Sequence, residues 1–338
     1  MRRPRDLDVE LLIGTSGWTY DSWEGPFYPP ELSRKDWLAW YGTQFATAEI
    51  NGSFYRTPSL EAVGEWRKRT PPNFVFAWKA SKFITHWNRL KETCSNSIAL
   101  MESRLKVLGP KLGPVLFQLP ARFEADGDRL ACFLKMLPAR RRYAFEFRHA
   151  SWYADSILDL LAAHDIALCL ADHHQAPAPW VATAGHVYVR CHGPDGRYRG
   201  NYSDATLRQW CRCMKRWQRE GRHVYVYFDN DQKSAAPADA RRLMELLQSS
   251  KRRSLGKMPA DMRPKHDTPQ SCPPASRIGN ARDSNRRQGN RPRGVLPKTL
   301  AARRYAKRAA IQREGTPWTV RKAEGDQAKT AASVACWQ

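Results

Sequence analysis

No stretch of this 338-residue chain approaches the roughly 20 consecutive apolar residues that a bilayer-spanning helix requires. The early Arg2-Arg3 pair runs into Pro4 and acidic residues, not into the apolar core of a secretory leader. A cytoplasmic location without a membrane partner is therefore expected. Cysteine numbers 8, but there is no CxxC pair and no regular framework, and the one close pair, Cys211 and Cys213, falls in a predicted helix. The thiols are read as reduced, neither disulfides nor zinc ligands. No GxGxxG loop follows the first strand-like run, which weighs against an open doubly wound nucleotide-binding sheet.

Acidic residues are scarce at one end only. The net charge of +23 comes from 56 Lys and Arg against 33 Asp and Glu; residues 251–338 hold 21 against 6 of these, leaving 35 against 27 for residues 1–250. That C-terminal stretch is rich in Arg, Pro, Ser, Asn and Gly and has no sustained apolar period. It cannot bury enough surface to offset its ordering entropy, so a disordered basic tail is expected. Within it, residues 298–314 have helix-forming composition and suit a basic helix against an acidic partner.

Residues 1–250 read differently. After a lead of residues 1–10, β-like runs recur at 11–17, 46–55, 74–81, 114–120, 143–149, 167–172, 186–193 and 223–231. Helical segments are expected between them at 33–42, 59–69, 91–108, 127–137, 153–164 and 203–220, and after them at 235–248. Ser33, Asp126 and Ser203 stand at N-cap positions. The connection from Asp172 to His186 is short and Pro-rich, so its helix is a single turn or missing. Eight β/α units in about 250 residues predict a TIM (β/α)8 barrel over residues 11–250.

Strand parity then sorts the charged residues. In "YAFEFRHASW", residues 143–152, Phe145 and Phe147 suit the helix side, which turns Glu146 and Arg148 toward the barrel axis near the strand's C-terminal end. The same test turns Glu49, Asn51 and Ser53 to one face, sets Lys79 with Ala77, and opposes Gln118 to Phe117 and Leu119. It points Tyr188, Arg190 and His192 inward in the seventh strand, and Tyr225, Tyr227 and Asp229 in the eighth. Asp172 ends the sixth. So many ionisable groups in a desolvated mouth are costly unless they pair or bind something.

The motifs "GTSGW" (14–18), "EINGSFY" (49–55), "WKASKFITH" (78–86), "FQLP" (117–120), "FEFRHASW" (145–152), "YVRCHG" (188–193) and "VYVYFDND" (224–231) resemble, in order, those of the YecE-like family, domain of unknown function 72. The resemblance covers about residues 11–248 and implies a TIM barrel. It brings no reaction with it. Asp229 stands where many members of that family carry an Asn, and the basic tail lies outside the resemblance.

Two function classes follow from the residues. In the first, an enzyme acts on an anionic sugar-phosphate or nucleic-acid substrate. Glu49, Glu146 and Asp172 supply acid and base carboxylates, and His86 and His192 are proton-transfer candidates. Lys79, Arg148 and Arg190 form a cationic clamp, and Asn51, Gln118, His149, Asn230 and Asp231 are polar binding groups. Trp18 and Tyr55, with Trp23, Phe54, Trp87 and Trp152, offer rings on which a flat sugar or base stacks. A metal held by His86, His149, His173, His174 or His192 with a carboxylate is chemically open, but no short ligand signature supports it, and it is not favoured. In the second class, tail and mouth only bind nucleic acid. Against both stands a structural alternative, in which Glu146 and Arg148 are a buried ion-pair network that fixes barrel closure.

Overall fold

The computed structural model describes residues 9–255. Eight strands, β1 (Leu11–Ser16), β2 (Thr47–Ile50), β3 (Val75–Lys79), β4 (Leu112–Gln118), β5 (Tyr143–Glu146), β6 (Ala167–Ala171), β7 (His186–Cys191) and β8 (His223–Phe228), pair in parallel in sequence order, and β8 closes on β1. The helices are α1 (Trp37–Gln44), α2 (Leu60–Arg69), α3 (Ser95–Leu108), α4 (Gly127–Met136), α5 (Asp155–Ala163), α6 (Asp204–Arg219) and α7 (Ala235–Leu255). The fold is the expected TIM barrel. No helix is found between β6 and β7.

The differences from expectation are local. All eight strands end one to five residues earlier than expected, the most at β2, and Glu49, Lys79 and Glu146 are among their last residues. Ser33 opens a 3-10 turn, and its hydroxyl bonds the Asp36 carboxylate at 2.8 Å without capping a helix. Asp126 and Ser203 cap α4 and α6 as their positions predict, accepting from Arg129 N at 3.0 Å and Thr206 N at 3.2 Å. Helix α7 continues past residue 250 to Leu255. The expected disordered tail lies outside the described residues from 256 onward. Among the described residues, no helix is long and apolar enough to cross a membrane.

Alternation along the strands makes two cores. Outside, Phe117, Phe145 and Phe147 face the helices: Phe117 stacks on Phe145 at 5.2 Å between centroids, and Phe147 on Trp152 at 4.8 Å. Inside, Ala77, Leu116, Ala144 and Cys169 lie opposite Tyr188, Tyr225 and Tyr227, so large side chains of β7 and β8 fill the space left by small ones. Their phenols are not orphaned: Tyr188 donates to Glu49 Oε2 at 2.6 Å, and Tyr227 pairs with Thr47 Oγ1 at 2.9 Å. Gly14 permits the closest approach in this layer, since a Cβ there would lie 2.0 Å from the Thr47 carbonyl oxygen. The registers Ser16 with Glu49, and Gln118 with Glu146, then set these residues at one level at the C-terminal ends of their strands.

Candidate functional site

Arg190 is fully buried at the centre of that level. Its Nε donates to Glu49 Oε2 at 3.1 Å and its Nη2 to Glu49 Oε1 at 2.9 Å, while Nη1 reaches Glu146 Oε2 at 2.8 Å and Nη2 also reaches Asp229 Oδ2 at 2.8 Å and Ser16 Oγ at 2.9 Å. A planar guanidinium on a long stem presents five N–H donors, enough to serve three carboxylates at once. Glu49 is occupied on both oxygens, since Ser16 and Tyr188 also donate to it, at 2.5 and 2.6 Å. Glu146 is occupied too: Oε1 accepts from Arg148 Nε at 2.5 Å and from Gln118 Nε2 at 3.1 Å. Burial alone would raise the Glu146 carboxyl, but the Arg148 and Arg190 guanidiniums outweigh it and hold Glu146 well below the usual carboxylate range.

A second chain of contacts runs from β6 through His192. Asp172 Oδ1 accepts from the His192 backbone N–H at 2.6 Å and lies 3.2 Å from its Nδ1, and Tyr202 donates to Oδ2. The Nε2 of His192 meets Arg190 Nη1 and Arg148 Nη2, each at 3.2 Å. Arginine only donates, so Nε2 accepts, the proton sits on Nδ1 toward Asp172, and the ring is neutral. Burial, with Arg190 and Arg148 adding to it against the pull of Glu146, lowers the imidazole well below its ordinary value. Burial raises Asp172 to about 7, against the hydrogen bonds from Tyr202 and the His192 N–H. The β7 loop returns over this group: Gly193, at φ +96°, holds a close approach of 2.2 Å between its missing Cβ and Arg199 O. Tyr198 Oη then accepts from Arg148 Nη1 at 3.0 Å.

Lys79 differs from both arginines. It is 5% exposed, and its ammonium makes one hydrogen bond, to Asn51 Oδ1 at 3.0 Å, while lying 4.5 Å from the centroid of Phe54. Burial, then the like charge of Arg190, lowers it to about 8. Asp229 is raised to about 6 by burial, against the attraction of Arg190 and Lys79. His86 stands beside this pair with its Nδ1 bonded to Thr85 Oγ1 at 2.9 Å, and burial followed by the charges of Lys79 and Arg148 lowers it to about 4. It is a neutral ring at pH 7. Tyr20, whose hydroxyl donates to Ser16 O at 2.6 Å, closes the β1 side.

The mouth thus brings together Glu49, Asn51, Lys79, His86, Gln118, Glu146, Arg148, Asp172, Arg190 and His192. Other residues are turned away. Asn230 is fully buried and donates to Gly200 O at 2.7 Å and to Asp239 Oδ2 at 2.9 Å, so it ties the β8 loop to α7. Trp18 packs edge-on against Trp66 at 5.5 Å in the helix layer, and Trp23 and Trp152 are fully buried. His149 accepts from Ser151 N and so caps the 3-10 turn Ala150–Tyr153. Asp231 is at the rim, where its carbonyl accepts from Trp23 Nε1 at 3.0 Å. Tyr55 is on the rim and 67% exposed. Among the described residues, no group of three His, Cys, Asp or Glu side chains is arranged to hold a metal ion. Guanidiniums stand between the carboxylates instead. Ser16, Tyr20, Tyr198 and Asp229 were not picked out as site residues from the sequence. Parity places Asp229 inward, whereas no sequence signal marks Tyr198, which depends on the path of its loop.

Comparison with known proteins agrees with this architecture. The family described as "Protein of unknown function DUF72" matches residues 12–264. The UPF0759 protein YunF of Bacillus subtilis is 27% identical over 274 residues, covering 70% of this chain and 94% of YunF. The UPF0759 protein YecE of Escherichia coli K12 is 31% identical over 145 residues, covering 43% of this chain and half of YecE. A crystal structure of a DUF72 family protein from Thermotoga maritima superposes with a TM-score of 0.65 at 25% identity, covering 71% of this chain and 99% of that one. One from Enterococcus faecalis gives a TM-score of 0.61 at 19% identity, covering 76% and all of the respective chains. The chain belongs to the DUF72 family.

Proposed function

We propose that the barrel is an enzyme that carries out acid–base chemistry on a small anionic substrate, with Lys79 meeting the substrate's charge and Asp229 moving the proton. The observation that carries this reading is the unequal engagement of the mouth's cations. Arg190 and Arg148 are tied to carboxylates, whereas the Lys79 ammonium has one partner and two further N–H groups available. Such a lysine is costly to bury and is a candidate for function on that ground. Glu49 and Glu146, each held on both oxygens, act in this reading by fixing the charge and position of the groups beside Lys79 and Asp229, whereas Arg190 engages Asp229 through Oδ2.

The pH dependence follows from the two shifts. Asp229 must be ionised to accept a proton, which requires pH above about 6, and Lys79 must be charged to hold an anion, which requires pH below about 8. Screening phosphorylated and carboxylated sugars and aromatic compounds against the full chain should therefore give turnover whose kcat/KM is bell-shaped with limbs near these values. A profile flat from pH 5 to 9 for a substrate that is turned over would remove Lys79 and Asp229 from the chemistry.

Nucleic-acid binding is favoured separately by the 21 Lys and Arg of residues 251–338. In the barrel mouth Arg148 and Arg190 are engaged by carboxylates, so the tail is the proposed source of phosphate contacts. Affinity for duplex DNA should fall steeply with salt, by about a thousandfold or more between 50 and 200 mM if six or more phosphates are met. Deleting residues 256–338 should remove most of it. Equal retention by the shortened chain would place binding in the barrel.

A further inference from the structure

From the rim of the mouth outward, rings and ammonium groups alternate. The Lys79 ammonium lies 4.5 Å from the Phe54 centroid, Phe54 meets Tyr55 edge-on at 5.0 Å, and Lys82 Nζ stands 5.7 Å from the Tyr55 ring and 5.2 Å from that of Trp87. Tyr55 follows β2 and Trp87 follows β3, so two separate loops supply the rings. Tyr55, Trp87 and Phe83 are 67%, 66% and 41% exposed, and they are the exposed large aromatic side chains among the described residues. Isolated exposed rings are ordinary; three on one rim beside a buried ammonium are not. Loop packing covers Tyr55 and Trp87 only in part, with Lys82 over each ring and most of the side-chain surface open to solvent. Lys82 makes no ion pair among the described residues, so the strip presents positive charge between exposed rings.

We infer that this strip is a binding subsite for an aromatic ring carrying a phosphate or carboxylate group, the ring stacking on Trp87 or Tyr55 and the acid group meeting Lys82 or Lys79. The inference rests on the reading of Lys79 as the anion contact and narrows its substrate class. A ring stacks on an aromatic face through its own π system, which a saturated ring lacks, whereas the acid group recognises the ammonium whatever ring it is attached to.

Calorimetric titration of the full chain with phenyl phosphate and cyclohexyl phosphate separates the two contributions, since the basic tail sees the same phosphate in both. Phenyl phosphate should bind about tenfold more tightly. Trp87→Ala and Tyr55→Ala, both surface changes, should together erase that preference and leave affinity for cyclohexyl phosphate unchanged. Benzoate against cyclohexanecarboxylate repeats the comparison for a carboxylate, and a preference in either pair supports the subsite and identifies its acid group. Equal binding within both pairs, or a preference that survives both ring deletions, overturns it. Lys79→Met tests the underlying reading separately: a ring preference that persists there with undiminished affinity supports the strip and discards Lys79 as its anion contact.

Discussion

Replacing Arg190 with Met is expected to destabilise the barrel by about 3–5 kcal/mol, enough to unfold a large fraction of a marginally stable domain. The side chain is fully buried and is the shared partner of Glu49, Glu146 and Asp229. Methionine fills much of the volume but leaves those carboxylates in a low-dielectric mouth with Arg148 and Lys79 as the nearby cations. They must then take up protons or admit water. The deficit should shrink on acidification, because the stranded carboxylates titrate at higher pH than in the parent and regain neutrality as pH falls. Arg190→Lys keeps the charge but cannot fork between Glu49 and Glu146, so it should restore only part of the stability. Urea denaturation of the three proteins at pH 7 and pH 5 measures this. A loss below about 1 kcal/mol for Arg190→Met would mean that the network is incidental to the fold.

Lys79→Met should cut turnover steeply and leave the protein folded, a combination the Arg190 variant cannot show. The ammonium is buried with one hydrogen bond, so a thioether of similar length relieves desolvation and loses little packing. Stability should stay equal or rise at pH 7. The expected loss in kcat/KM is two to four orders of magnitude, the range typical of removing one electrostatic or proton-transfer group. Full activity in a folded Lys79→Met protein would end the proposed mechanism.

The barrel and the inward faces were legible in the sequence because a strand's period of two is insensitive to context: once Phe145 and Phe147 are assigned to the helices, Glu146 and Arg148 have no other direction. Parity likewise turned Lys79, Arg190, His192 and Asp229 inward. It could not say how these groups pair, since pairing depends on distances across the barrel. Glu49 and Glu146, read as an acid and base facing each other, have Arg190 between them. The arginines of the expected cationic clamp are held by those carboxylates, as the ion-pair alternative has it. Asn230 follows an inward residue and so turns outward, where Asp239 of α7 accepts from it. Trp18 shows the limit for loops: its type suggests stacking on a ligand, but its place is set by Trp66 and Phe76.

The proposal that Lys79 is the mouth's available cation is tested most directly by its own titration. With lysine labelled by 13C at Cε, and the Lys79 signal assigned by its disappearance in Lys79→Met, a midpoint of about 8 is expected. A midpoint near the ordinary lysine value of about 10.4 would contradict it, because the ammonium would then be solvated or paired like any surface lysine.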